Sequence, residues 1–289
     1  MAAARRRAAP AGVVCFDDTN ESVAEIQRVA ETKGLLDKGL ILDLTHASGG
    51  FGSPSVIQLF ANNAVRPTLG NLRVEDLKFI AGFLGRLRAS VATRGDQVRD
   101  DPEIRYTNRV MSWIEEAIER GDSYTTEVPF KLKLPEVVGP FGKRLRGGTV
   151  LLLYPASGSQ TDQLAATVCD NFETVGANSV GTTSGGYSNT WEIEGMMTMG
   201  GQEFPLEWNA GHTIRPNGEI LEGNPPRARH WFPLTPDNCG HYFHGLIDLA
   251  EDLLARLSRF EGIRLQKPSK FEDSLQRSAP HPNFRMPQH

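Results

Sequence analysis

Ser159 is the residue whose surroundings in sequence best suit nucleophilic chemistry. The run Gly148-Thr149-Val150-Leu151-Leu152-Leu153-Tyr154-Pro155 reads as a buried strand stopped by proline, and Ala156-Ser157-Gly158-Ser159 turns out of it through small residues. Leu164, Val168 and Phe172 then recur every four residues, with Ala165 and Cys169 beside them, as one apolar face of a helix. A serine at that junction meets unsatisfied backbone N–H groups and the positive end of the helix dipole, which stabilise a developing oxyanion. The competing role is a helix cap, for which serine is equally suited. Ser157 is the other hydroxyl of the turn. Two further groups invite chemistry. Cys239, His241 and His244 lie close enough to share a soft metal, but no fourth ligand stands out, and the histidines also suit a helix start beside Tyr242 and Phe243. No metal is expected. The Gly181–Gly186 loop lacks the Lys-Ser/Thr of a phosphate loop and reads as a tight turn or substrate edge.

The elements that must carry these residues can be read around them. Residues 1–11 are Ala/Arg/Pro-rich and are expected to be disordered. Val13–Phe16 reads as a first strand, and a helix through Val23, Ile26 and Val29 ends at Gly34. Leu40–Leu44 is a second strand, completing a unit long enough for a parallel crossover. A helix from about Ser53 follows, and residues 75–92 and 103–120 read as two more, the latter strongly amphipathic through Val110, Trp113, Ile114 and Ala117. Residues 66–147 are thus taken as a helical insertion between core strands. A helix from about His241 carries Leu246, Leu249, Leu253 and Leu257. The expected organisation is one α/β domain over 12–260 with a loose tail over 261–289.

Composition narrows the function classes. With 289 residues, 39% of them hydrophobic and 23% charged, the chain can bury a sizeable core. A net charge of −4 with dispersed basic residues gives no nucleic-acid footprint. No apolar run approaches a membrane span. Met1–Pro10 has no apolar run behind its arginines, and Cys15, Cys169 and Cys239 suggest no disulfide framework, so a cytoplasmic chain is expected.

Three segments carry a resemblance. Ser159-Gln160-Thr161-Asp162, the helix to Asp170-Asn171, and Val180-Gly181-Thr182-Thr183-Ser184-Gly185-Gly186 resemble the C-terminal processing (tail-specific) serine peptidases. Leu40-Ile41-Leu42-Asp43-Leu44-Thr45-His46-Ala47-Ser48-Gly49-Gly50 is similar to that family's oxyanion strand end, and Ile214–Gly223 to its C-terminal hairpin. The resemblance implies a ClpP/crotonase-like α/β core of repeated strand–strand–helix units, interrupted by the insertion. It further implies a serine hydrolase without a PDZ module, acting on a peptide or small acyl substrate with no cofactor.

In that reading Ser159 attacks, with backbone N–H groups of Gln160 and of Gly49 or Gly50 as oxyanion donors and Gly186 at the substrate edge. The family's lysine position is occupied by Tyr187, which argues against a Ser–Lys dyad and makes Tyr187, with Glu219, a candidate for catalytic support. A Ser–His–Glu branch, that of the tricorn core and the chlamydial protease-like activity factor, implies Glu219 as the acid, with Glu222 as the fallback. His46 is the histidine nearest the site by motif, either as base or as a hydrogen-bonded residue at a strand end. A homo-oligomer or a partner chain supplying the histidine is a third arrangement. The alternative function is a non-hydrolytic or inactive member of the same fold that binds an acyl or enolate-type ligand.

Overall fold

The computed structural model describes residues 19–47, 49, 56–75, 77–93, 102–129, 145–188 and 192–260. The expected strand at 13–16, the termini at 1–11 and 261–289, and Gly50 lie outside them. Four strands form a parallel sheet in the order β1–β3–β4–β8: β1 (Leu40–Asp43), β3 (Thr149–Leu153), β4 (Ala177–Gly181) and β8 (His230–Trp231). Leu40 is in register with Thr149, and Thr149 with Ala177.

β3 explains why Thr-Val-Leu-Leu-Leu is an unbroken apolar run. It is central, and strand side chains alternate between faces, so both faces must be dry. Val150 and Leu152 pack with Tyr242, Leu246, Ala250 and Leu253 of the long helix α6 (Tyr242–Phe260). Leu151 and Leu153 pack on the other face with Leu164, Ala165 and Val168 of α4 (Gln160–Asp170). The helix α1 (Thr19–Thr32) reaches the same side through Val23. Fully burying each leucine contributes roughly 1.5–3 kcal/mol, so the two layers clamp the strand that ends at the serine turn.

The segment between β1 and β3 holds more than helices. The helices α2 (Leu77–Thr93) and α3 (Pro102–Arg120) pack through Ile80, Leu84, Val110 and Ile114, close to the expected bounds. Before them comes the strand β2 (Leu69–Leu72), which pairs antiparallel with β7 (Gly211–Ile214) from the other end of the chain. Gly70 of β2 and Arg73 just after it also bridge to Val128 and Tyr124. The region read as a helical insertion is therefore stitched into the rest by a strand pair. A short helix α5 (Phe172–Val175) links α4 to β4, and β5 (Glu192–Met199) and β6 (Gln202–Asn209) form a hairpin. Gly200 and Gly201, with φ of 59° and 78°, make the two-residue turn that matches strand twist.

Candidate active site

The turn after β3 separates the two serines. Ser157 is buried and donates both its backbone N–H and its hydroxyl to Tyr154 O, at 3.1 and 2.9 Å. Its hydroxyl is spent on closing the turn. Ser159 has φ 58° and ψ −126° and makes no side-chain capping bond to the helix it precedes. A capping serine adopts extended backbone and accepts an N–H from the first turn. Ser159 does neither, so the cap reading fails on geometry. Among the described residues it is the one non-glycine with positive φ. Such a conformation costs on the order of 1–3 kcal/mol and persists only where neighbours over-determine it.

Those neighbours are visible. Ser159 N–H donates to Tyr187 O at 2.6 Å, and Ser159 O accepts the first helical bond from Gln163 N at 3.2 Å. Gly158 N–H donates to Ala47 O at 3.1 Å, tying the turn to the loop that leaves β1. Gly49, at φ 101°, lies so close that a Cβ there would stand 2.6 Å from Ser159 Cβ and 3.1 Å from Gln160 N. Only glycine admits this approach, which sets backbone against both the serine side chain and the first residue of α4.

Asp162 completes the clamp. Its carboxylate is fully buried and accepts the N–H groups of Gly186 and Tyr187 at 3.1 and 2.9 Å. Burial pushes its pKa up, against the backbone bonds that favour the ionised form. The loop it holds is the loop whose carbonyl holds Ser159. Gly186 has φ 73° and abuts Pro225, and its carbonyl takes the N–H of Gly223 at 2.9 Å. The Tyr187 ring is exposed and stands over the turn, with Cδ1 3.7 Å from where a Gly158 Cβ would lie.

The remaining sequence candidates are placed as follows. His46 leads into Ala47 on the β1 loop, but its ring rests on aromatics, with centroids 5.3 Å from Phe243 and 6.2 Å from Tyr154. Glu219 is exposed and bonded to Asn224, Asn217 and Arg215, which together hold its carboxyl below the usual range. Arg215 in turn grips Asp170 through two bonds of 2.6 and 3.0 Å. Asp170 ends α4, ~16 Å of helix from Ser159. The structure thus anchors Glu219 to the opposite end of that helix. Glu222, the fallback, accepts Thr213 N–H on both oxygens at 3.0 Å and lies 3.9 Å from His212 Nδ1. His212 Nε2 meets Tyr124 OH at 3.3 Å. Gly223, which bonds to Gly186, is flanked by Glu222 and by Asn224, the partner of Glu219. The His212–Glu222 pairing has no signal in sequence, because the hairpin fold alone brings them together. No cluster of three or more His, Cys, Asp or Glu suited to a metal occurs among the described residues.

No family model and no curated protein matches the sequence. Solved structures do. CPAF, the chlamydial protease-like activity factor, in its mature form complexed with lactacystin, matches with a TM-score of 0.60 at 15% identity, over 83% of this chain and 47% of that one. Mature CPAF alone gives 0.57 at 13% identity, over 85% and 48%. A weaker match, 0.40 at 10% identity over 81% and 43%, is to the photosystem II D1 C-terminal processing protease. The chain spans about half the length of the CPAF structures it matches. At this identity the likeness is one of fold: the mixed α/β core with its parallel sheet is shared with CPAF over the matched half.

Proposed function

We propose that the chain is a serine peptidase-like hydrolase of the ClpP/crotonase type in which Ser159 attacks the carbonyl of a peptide or other acyl substrate. The observation that carries this reading is the strained serine at the strand–helix turn. A left-handed serine that caps nothing, with a glycine backbone pressed against it, suits a nucleophile lifted out of the turn. Ser159 Oγ bonds to the substrate carbonyl carbon as its proton passes to a base. The oxyanion lies against backbone N–H groups of Gln160 and of Gly49 or Gly50. Collapse expels the leaving group, which takes the proton, and water then releases the acyl group by the reverse relay. His46 is the base that the chain supplies from the β1 loop, by a ring rotation away from Phe243. Tyr187 and Gly186 form the substrate edge.

The non-hydrolytic reading has its own support. The His46 ring packs on Tyr154 and Phe243, and Glu219 is committed to Arg215. A site with its oxyanion donors but no engaged base would bind an acyl or enolate ligand without turnover, or wait for a histidine from a partner chain. Fluorophosphonate labelling followed by peptide mapping separates these. An adduct on Ser159, absent in Ser159→Ala and retained in Ser157→Ala, supports the hydrolase. A folded chain that takes no adduct rules it out for the isolated protein. Ester hydrolysis that survives His46→Ala would assign the base elsewhere.

A further inference from the structure

The helix α4 is enclosed on every side, with all of residues 160–168 buried. Leu164, Ala165 and Val168 meet the sheet. Gln163, 1% exposed, is spent on a polar contact instead. Its Nε2 donates to Ser188 Oγ at 2.7 Å, and its Oε1 accepts Thr68 Oγ1 at 3.4 Å. Ser188 and Thr68 are themselves 1% and 3% exposed. Three polar side chains from three separate segments thus share one dry contact: α4, the loop after Tyr187, and the residue that enters β2. A leucine, an alanine and a valine would fill similar space without taking any polar atom out of water, so packing alone does not call for this network.

What the network fixes is the position of one peptide group. Asp162 accepts the N–H of Tyr187 at 2.9 Å, and Gln163, the next residue of α4, holds the Ser188 hydroxyl. The Tyr187 carbonyl lies between those two anchors, and it accepts the Ser159 N–H at 2.6 Å. Ser188 is restrained a second time, since its carbonyl accepts Asn209 Nδ2 at 3.2 Å at the end of β6. Gln163 N–H meanwhile donates to Ser159 O at 3.2 Å. Both backbone groups of the strained serine therefore lead back to Gln163, the carbonyl directly and the N–H by way of Ser188 and Tyr187. A left-handed serine needs such over-determination. Without its hold on Tyr187 O, Ser159 would relax toward extended backbone, in which a serine at this place caps the helix.

We propose that Gln163 is a positioning residue for Ser159: its buried side chain pins the Ser188 end of the loop whose Tyr187 carbonyl holds the Ser159 N–H, and so keeps the serine in its uncapped, left-handed state. The consequence for activity rests on the reading of Ser159 as the nucleophile. The structural step is measured independently of it.

Two variants of the full chain separate positioning from plain stability. Gln163→Leu removes both bonds and leaves the Ser188 and Thr68 hydroxyls buried without their partner, so its melting temperature falls. The triple variant Gln163→Leu/Ser188→Ala/Thr68→Val removes those hydroxyls as well and recovers stability, because a matched apolar set replaces the polar one. Amide hydrogen exchange followed by NMR reads the Ser159 N–H bond, with the β3 amides of the central strand as the reference for global opening. Fluorophosphonate labelling reads the serine as a nucleophile. In both variants the Ser159 amide should exchange about tenfold or more faster relative to β3, and labelling should slow by about tenfold or more. A glutamine with a merely structural role would not give that result in the triple variant, whose melting temperature is near that of the wild type. Ser159 exchange and labelling that return to wild type together with the melting temperature would overturn the proposal, as would a Gln163→Leu chain in which Ser159 exchanges no faster relative to β3. A wild-type chain that takes no adduct would remove Ser159 as a nucleophile, and the exchange comparison would still decide whether Gln163 holds it in place.

Discussion

At the scale of single residues, Ser159 and Gly49 are the pair on which the proposed function turns. Ser159 sits in backbone that favours glycine, so the conformation is destabilising and is retained at a cost to the fold. Ser159→Gly should be more stable than Ser159→Ala by about 1–2 kcal/mol, because only glycine relieves the φ of the turn while both remove the hydroxyl. Paired thermal melts of the two variants check this, and equal melting temperatures would mean that the turn is unstrained. Gly49→Ala is the complementary test. Its Cβ would stand 2.6 Å from Ser159 Cβ at a φ of 101° that side chains rarely adopt. Fluorophosphonate labelling should fall by about tenfold or more as the serine is displaced, while circular dichroism stays that of the wild type. Ser159 and its strand–helix setting were legible from residue types alone. The φ that sets Ser159 apart from a helix cap was not, because the turn is held by Tyr187 and Ala47 from distant parts of the chain.

At the scale of elements, α4 is fixed at both ends by carboxylates with different partners. Asp170 is gripped at its C-terminal end by Arg215, and Asp162 in its first turn holds the Gly186–Tyr187 backbone. Asp162 is buried with no cation beside it among the described residues, and burial raises its pKa. The folded state therefore binds this proton more tightly than the unfolded state, and the group's contribution to stability rises as pH falls through the raised pKa toward the ordinary carboxylate range. Asp162→Asn lacks that contribution. Melting temperatures from neutral pH downward should show the wild type gaining on Asp162→Asn, and a pH-independent difference would show that Asp162 has an ordinary pKa. The helices around α4 were readable from their 3.6-residue periodicity, to within two residues at α2 and α3. The pairing of β2 with β7 was not, since each strand is four residues long and its partner lies about 140 positions away.

At the scale of the whole molecule, the two faces of the parallel sheet differ in what they leave accessible. Cys169 lies in the layer between α4 and the sheet, where burial pushes its thiol up to about 11, whereas Cys239 is exposed ahead of α6. With the thiolate as the reacting species, iodoacetamide at mildly alkaline pH should modify Cys239 well before Cys169. Peptide mass mapping over a time course checks this, and equal rates would show that the layer opens readily. No helix among the described residues is long and apolar enough to cross a membrane.

By itself the sequence determined the local matters: which runs are strands, which are helices, and that a serine stands at the turn between them. These follow from side-chain periodicity and from proline and glycine, which act over a few residues. Only the tertiary structure decided which groups meet. It bonded Glu219 to Arg215, set Glu222 beside His212 and turned the His46 ring onto Phe243. Each of those outcomes depends on packing between segments tens to hundreds of positions apart. A side chain's partner there is chosen by the geometry of two elements together, and no local pattern of residue types encodes it.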